Sequence, residues 1–499
     1  SFLYDDLVLV VHNQFIRSWH YFLTFFTTFL GAGNNNASAY YRPLQQILYL
    51  LVFQSAGLST ATFHFLNVAL HAANAVLMYT LGRKLGFHAG AVFVAALLWA
   101  LHPIHTEAVT YISATADPLY AFFCLWGALV LLPDFSPRRM GLAAVLFILA
   151  LMSKESAIAF PLLAAALLYY TNEKRSEDRI YVRLWPLAVI GVLYVILHFA
   201  LAMHQPKMAV SGAAPQASFL SALKALAVIP RYFQLLLWPS PLYMKHLVDA
   251  AAPGAQAELI LGILIVALCA LQLLRRQTPA TLPLSWGILW FAGAFLPVSG
   301  VGDIVYEHWM YLPTVGLFLG VAQTIAVALR KNPKVFQSRL LYAVPCVIAC
   351  LLGYLTWRQN YIWRDEETFY GNIIKQGHPA PEAHINLGVY YTGLGDYKTA
   401  LTQFEAAETD YAHSTDNFTA DNRAALENNI AESLLNLPDG ATHREEALQH
   451  LRKSIEIDPN YYVALDSLAK LYMQLGNKDL ADFYANKARG VQQQFKSIK

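Results

Sequence analysis

The chain has 499 residues, 56% of them hydrophobic and 14% charged, with a mean hydropathy of +0.38. That is too apolar for a soluble protein of this length and places the chain among integral membrane proteins. A net charge of only +2 implies no nucleic-acid partner, so the informative quantity is where the basic residues fall.

Chain order begins with SFLYDDLVLVVHN, where Asp5 and Asp6 stand together in an apolar run without a basic neighbour. No signal peptide precedes this stretch and apolar segments follow repeatedly, so one further helix before Ser1 is expected. Residues 1–59 read as a first outer loop, in which YYRPL sets Arg42 beside the interface-anchoring Tyr40 and Tyr41. Apolar windows of helical length then occupy 60–82, 86–101, 116–132, 140–152, 156–170, 184–203, 257–274, 283–299, 310–329 and 340–357. This gives about ten spans, or eleven with a helix before Ser1. Cys124, Cys269, Cys346 and Cys350 all lie in such windows and read as small hydrophobes of the core, not as metal ligands. His198 likewise reads as a core histidine, which leaves a transport path without its ionisable residues.

The loops alternate in charge. Arg83 and Lys84, Arg138 and Arg139, Lys174 to Arg183, Arg275 and Arg276, and Arg330 to Arg339 mark five cytoplasmic loops. The alternation closes only when residues 219–238 lie along the outer interface as a surface helix pair, for which Lys224, Pro230 and Arg231 argue. With that threading, Asp5 and Asp6, HPIHTE at 102–107, SKES at 153–156 and GDIVYEH at 302–308 all arrive outside. One extracytoplasmic polar site at the mouths of several helices is therefore expected.

From about residue 358 the composition turns polar. Residues 358–378 read as a linker and 379–499 as a soluble domain. Within it, INLGVYYTGLGDYKTALTQFEAAE places Leu387, Gly388, Tyr391, Gly395, Tyr397, Ala400, Phe404 and Ala407 at tetratricopeptide-repeat spacing. Ala447 and Pro459 fall in register in a second unit with a longer turn, LPDGATHR. Leu468, Ala469, Tyr472, Gly476, Ala481 and Ala488 supply a third. The fold class is thus all-α: a polytopic membrane helical bundle followed by a short solenoid of about three repeats.

Adjacent carboxylates after a membrane helix can serve as a general base, a metal ligand or a solvated cap. In an extended backbone neighbouring side chains point to opposite faces, so only one of Asp5 and Asp6 would enter a given pocket. His102, His105 and Glu107, at a helix end broken by Pro103, could bind zinc or phosphate or cap the helix, although their spacing is not a common zinc pattern. Lys154 and Glu155 read either as an interfacial ion pair or, for Lys154, as a phosphate contact. Arg42 poses the same choice between snorkelling and anion binding.

In order, YDD, YYRPL, FHFLNVALHA, HPIHTEAV, SKES, YEHWMYLP, WRDEETFY and the repeats resemble the transmembrane and tetratricopeptide-repeat O-mannosyltransferases and their prokaryotic relatives, of the GT-C glycosyltransferase superfamily. The resemblance covers essentially the whole chain, and HPIHTEAV and HWMYLP are its most specific pieces. It implies transfer of a sugar from a polyprenyl- or dolichyl-phosphate carrier to an acceptor hydroxyl outside the cytoplasm, with a first-loop carboxylate as general base. On that basis Asp5 is expected to be the base and Asp6 its support, with inversion at the anomeric carbon. Arg42, His102, His105, Lys154 and His308 are the candidate donor-phosphate ligands, and Glu107, Glu155 and Glu307 support them. Where this chain has His308 the eukaryotic members more often carry Arg, which implies a phosphate held by a group titrating near neutral pH. No cofactor is expected, and the carboxylate reading needs no metal. The expected partners are the lipid-linked sugar, the bilayer and an extracytoplasmic protein acceptor met through the repeats. The short repeat domain implies a bacterial inner-membrane protein with periplasmic repeats, although Asn36 and Asn417 stand in glycosylation sequons. A different class of function, a catalytically silent scaffold whose repeats organise a membrane complex, has the same fold and differs only at the aspartates.

Overall fold

The computed structural model describes residues 1–34, 40–132, 135–172, 183–204, 219–244, 246–247, 254–299, 304–331, 340–376, 380–413 and 420–496. Asn36, Asn417 and most of the two basic loops at 174–183 and 330–339 lie outside the described residues. The chain divides into two compact units, Ser1–Trp363 and Arg364–Lys499.

All ten apolar windows are helices. After α1 (Pro43–Ala56), within residues 1–59, come α2 (Thr60–Lys84), α3 (Ala89–Ala100), the short α4 (Thr106–Thr110), α5 (Ala116–Leu131), α6 (Pro137–Leu151) and α7 (Phe160–Asn172). Then follow α8 (Trp185–His204), α9 (Phe219–Leu237), α10 (Ala255–Leu274), α11 (Leu282–Phe295), α12 (Pro313–Arg330) and α13 (Leu340–Ile362). Local chemistry sets their ends. The Ser59 hydroxyl accepts from the Thr62 N–H to open α2, and Arg83 and Lys84 close it where the helix dipole favours cations. Proline begins α1, α6 and α12, at positions whose N–H has no helical partner.

Among the described residues five helices are long and apolar enough to cross a membrane: Thr60–Lys84, Ile112–Leu131, Trp185–Met203, Ala255–Leu274 and Pro313–Arg330. A sixth results if α3 and Pro103–Thr110, bent by 52°, form one broken span. A core built by α2, α3, α5, α6, α7, α11 and α12 holds Trp99, Phe147, Phe160, Trp286 and Trp290, all buried. Two of the three buried indoles are satisfied: Trp99 Nε1 donates to Thr314 Oγ1 at 3.0 Å and Trp290 Nε1 to the Leu312 carbonyl at 3.1 Å, whereas Trp286 Nε1 has no partner among the described residues. Helices α11 and α12 cross at backbone contact, where a Cβ on Gly287 would lie 2.6 Å from the Gly316 carbonyl oxygen. Val192 and Ile196 on α8, and Ile260 and Leu264 on α10, are exposed, as helices facing lipid require.

Two expectations change. Residues 219–237 form one continuous helix through Pro230, not a pair, and it packs against α10. Cys124 is buried, but Cys346 and Cys350 are exposed on α13 beside Val344, Val347 and Leu351, so they belong to the outward face and not to the core. The only strands among the described residues are β1 (His246–Leu247) and β2 (Ile304–Val305), paired antiparallel with His246 opposite Val305.

In the second unit, α14 (Glu366–Ile374) is capped by Asp365, whose carboxylate accepts from the Thr368 N–H at 2.8 Å, and it packs on the next helix. The stretch 358–378 therefore contains the end of α13 and the whole of α14. Three antiparallel pairs follow: α15 (Pro381–Gly393) with α16 (Tyr397–His413), α17 (Ala420–Asn436) with α18 (Arg444–Ile457), and α19 (Tyr462–Gln474) with α20 (Lys478–Lys496). Phe404, buried, closes the first pair directly over Gly388, where a Cβ would meet its ring at 2.4 Å. Gly388→Ala is expected to cost the repeat unit about 1–3 kcal/mol by overpacking. Thermal unfolding of the full chain measures this, and Phe404→Leu in the same chain should recover part of the loss.

Candidate active site

The segment His102–Asp117, HPIHTEAVTYISATAD, is the spine of the site. Pro103 has no N–H with which to continue α3, and His102 is extended there (φ −76°, ψ 124°). After α4, Tyr111 is extended again (φ −74°, ψ 117°), and a tight turn at Ile112–Thr115 leads into α5. These breaks aim Glu107, Tyr111, Ser113 and Asp117 in different directions from one short piece of chain.

The N-terminal residues fold against the second half of this spine. Tyr4 has φ 50°, in the left-handed region, and starts a helical turn at Asp5. The backbone at the aspartates is therefore helical and not extended, with Asp6 at φ −60°, ψ −31°. Successive side chains still diverge, by about 100° per residue. Asp6 points inward, 1% exposed, and its Oδ1 accepts from the Ser113 N–H at 2.7 Å and the Ser113 hydroxyl at 2.5 Å. Its Oδ2 accepts from the Leu3 N–H at 3.0 Å. Burial pushes the Asp6 carboxyl up to about 7 despite these bonds, and the charge of Asp5 adds to the shift. Asp5 is solvent-exposed, with its N–H donating to the Tyr111 hydroxyl at 3.0 Å. Surrounding protein raises its pKa, while a side-chain hydrogen bond with Tyr111 and the charge of Arg42 oppose the rise. Asp5 is thus open to water while held beside the Tyr111 hydroxyl.

Arg42 lies within electrostatic reach of Asp5. Its Nε and Nη2 donate to Glu155 Oε2 and Oε1 at 3.0 and 2.6 Å, and its guanidinium carbon sits 4.5 Å from the centre of the Tyr40 ring. Lys154 is extended (φ −157°, ψ 139°), so it and Glu155 point apart. Lys154 Nζ donates to both carboxylate oxygens of Asp117 at 2.7 Å, with the two side chains 5% and 3% exposed. The pairing is thus Arg42 with Glu155 and Lys154 with Asp117. Lys154 is not paired with Glu155, and its ammonium is held by Asp117.

A second polar cluster surrounds Glu107, which is fully buried. Its Oε2 accepts from the His308 N–H at 2.9 Å, and its Oε1 lies 2.8 Å from His308 Nδ1. Glu307 and His246 are each 1% exposed and meet at 3.0 Å. Burial, reinforced by the charge of Glu107, holds the Glu307 carboxyl well above the usual carboxylate range.

The two loop histidines depart from their expected role as phosphate ligands. His102 is buried, with Nδ1 accepting from the Ile104 N–H at 3.2 Å and Nε2 3.1 Å from the Leu236 carbonyl, so both ring nitrogens are taken by the backbone. His105 is buried between the rings of Trp99 and Tyr311, at 4.8 and 5.3 Å, and neither of its nitrogens has a hydrogen-bond partner. Among the described residues no group of three His, Cys, Asp or Glu side chains is placed to hold a metal.

The expected residues therefore fall into two groups, Asp5, Asp6, Arg42, Lys154 and Glu155 in one and Glu107, Glu307 and His308 in the other, joined through the 102–117 spine. Tyr111, Ser113, Asp117 and His246 are further members that sequence reasoning missed. Asp117 had a signal: a lone carboxylate in the first turn of an apolar helix demands a cation.

Residues 463–493 match the family model for the tetratricopeptide repeat. Over 405 residues the chain is 25% identical to Protein O-mannosyl-transferase F38B6.6 of Caenorhabditis elegans, a match covering 78% of this chain and 56% of the relative. It is 26% identical over 462 residues to Protein O-mannosyl-transferase TMTC4 of Homo sapiens, covering 78% of this chain and 61% of that one. The chain is a relative of the protein O-mannosyl-transferases. A shorter stretch of 125 residues is 37% identical to human Protein O-mannosyl-transferase TMTC1, covering 24% of this chain and 14% of that protein. The chain thus spans about three fifths or less of the length of the O-mannosyl-transferases it matches.

Proposed function

We propose that this chain transfers a sugar from a polyprenyl-phosphate carrier to a hydroxyl of a protein outside the cytoplasm, with inversion. The observation that carries this reading is a solvent-facing carboxylate, Asp5, within electrostatic reach of a bidentate Arg42–Glu155 pair, in a relative of O-mannosyl-transferases. Asp5 removes the proton of the acceptor hydroxyl as its oxygen bonds the anomeric carbon. The bond from that carbon to the phosphate oxygen breaks, and the phosphate leaves with the electron pair. Arg42 spends Nε and Nη2 on Glu155 and keeps Nη1 for the growing phosphate charge. Asp6, anchored by Ser113 and Leu3, holds the turn that carries Asp5. Glu107 and Glu307, with His308 and His246, brace the loops around the spine. The positive-inside pattern puts this face and the repeats in the periplasm of a bacterial inner membrane, and the repeat groove is the proposed docking site for the acceptor protein.

The test is transfer by the full chain from polyprenyl-phosphate sugars to hydroxyl-bearing peptides, where absence of turnover with every pair favours the scaffold reading. The pH profile is a further check. The base works ionised and surrounding protein raises the Asp5 carboxyl, so the acidic limb of kcat/KM should lie above the ordinary carboxylate value. A limb at or below that ordinary value in the wild type would contradict the assignment.

A further inference from the structure

Helix α8 is apolar and turns most of its surface outward: Val192, Leu193, Ile196 and Phe199 are 60%, 58%, 58% and 64% exposed. In a membrane that surface meets acyl chains. The opposite stripe runs through Leu187, Gly191, Tyr194 and His198, spaced as one helical face. Leu187 is fully buried, and Gly191 lies against Ile158, in the turn that begins at Glu155. The stripe then becomes polar. The Tyr194 hydroxyl and His198 Nδ1 are both buried atoms without a hydrogen-bond partner. Tyr194 lies within electrostatic reach of Glu155, Arg42 and Tyr41, and His198 within reach of Glu155. The His198 ring is 5.6 Å from Phe29 and 6.3 Å from Tyr194, which fixes it on the first-loop side of the helix.

Orphaned donors are expensive in a membrane helix, and these two sit one turn apart where the helix adjoins the Arg42–Glu155 pair. A prenyl chain stays in the bilayer, so a phosphate attached to it must reach Arg42 from the lipid side. Helix α8 offers lipid on one face and unsatisfied donors on the other.

We propose that Tyr194 and His198 form a lateral portal to the Arg42–Glu155 pair, donating to the phosphate of a polyprenyl-linked phosphosugar while its chain runs out along the Val192–Ile196–Phe199 face. This rests on the glycosyl-transfer reading, and it adds two positioning residues and a direction of entry for the donor.

The experiment measures stabilisation of the full chain in lipid nanodiscs by polyprenyl phosphate, with polyprenol and inorganic phosphate alongside, for wild type, Tyr194→Phe and His198→Gln. Polyprenyl phosphate should raise Tm in wild type. Its apparent affinity should fall about 10-fold for each of Tyr194→Phe and His198→Gln, the usual size of a lost hydrogen bond to a charged group. In turnover the donor KM should rise with the acceptor KM unchanged. Tyr194→Phe removes a single oxygen, so its ligand-free Tm should match wild type and keep the result readable if His198→Gln folds poorly. Equal binding by wild type and Tyr194→Phe overturns the portal and leaves glycosyl transfer standing, as does inorganic phosphate stabilising as well as the lipid. Failure of wild type to respond to any polyprenyl phosphate removes the glycosyl-transfer reading, and the portal with it.

Discussion

Asp5→Asn is expected to lower transfer by about 10²- to 10⁴-fold, the usual contribution of a general base, while leaving thermal stability at the wild-type level. The two aspartates differ in what they hold. The Asp5 carboxylate is open to solvent, whereas Asp6 accepts from the Ser113 N–H, the Ser113 hydroxyl and the Leu3 N–H in a buried site. Asp6→Ala strands those donors, each at roughly 1–3 kcal/mol, so it should destabilise the protein by about 3 kcal/mol and reduce transfer through displacement of the turn at Tyr4–Asp5. Initial rates at saturating donor and acceptor, read beside unfolding midpoints, separate the two roles. Loss of rate without loss of stability in the Asp6 variant would exchange the assignments. Undiminished transfer by Asp5→Asn would remove the base altogether.

The helical windows, the break at Pro103 and the repeats were all legible, because apolar length, a missing N–H and small-residue spacing are local properties of a sequence. The site was legible as a set of residues but not as a set of pairs. Lys154 and Glu155 are neighbours and look like partners, yet an extended backbone at Lys154 sends them to Asp117 and Arg42 respectively. The histidines of HPIHTE are polar by type, but a buried turn consumes His102 through backbone bonds, and packing against Trp99 and Tyr311 takes up His105. His246 had no signal at all, since only the two-residue ladder with Ile304–Val305 brings it to Glu307. Pairing across 30 to 200 residues depends on which helix ends meet, and periodicity carries no information about that.

The Lys154–Asp117 pair makes the second large prediction. Both side chains are almost fully buried, and the ammonium touches both carboxylate oxygens at 2.7 Å. Removing either partner leaves a charge without compensation in a low-dielectric interior, at about 3–5 kcal/mol. Lys154→Met and Asp117→Asn should therefore each lower the unfolding midpoint sharply. The double variant Lys154→Met with Asp117→Leu should recover most of that loss, because replacing a whole buried pair with apolar side chains is often neutral or favourable. The double variant also decides what Lys154 does. A pair that serves to hold the Lys154–Glu155 backbone, so that Glu155 meets Arg42, predicts donor affinity within about threefold of wild type once stability returns, since a 1.4 kcal/mol change in binding would already be tenfold. A direct phosphate contact from Lys154 predicts a stable double variant whose donor affinity is down tenfold or more. The bonding of the ammonium to both oxygens of a buried carboxylate favours the first outcome, in keeping with the proposal that Arg42 is the cation that meets the phosphate.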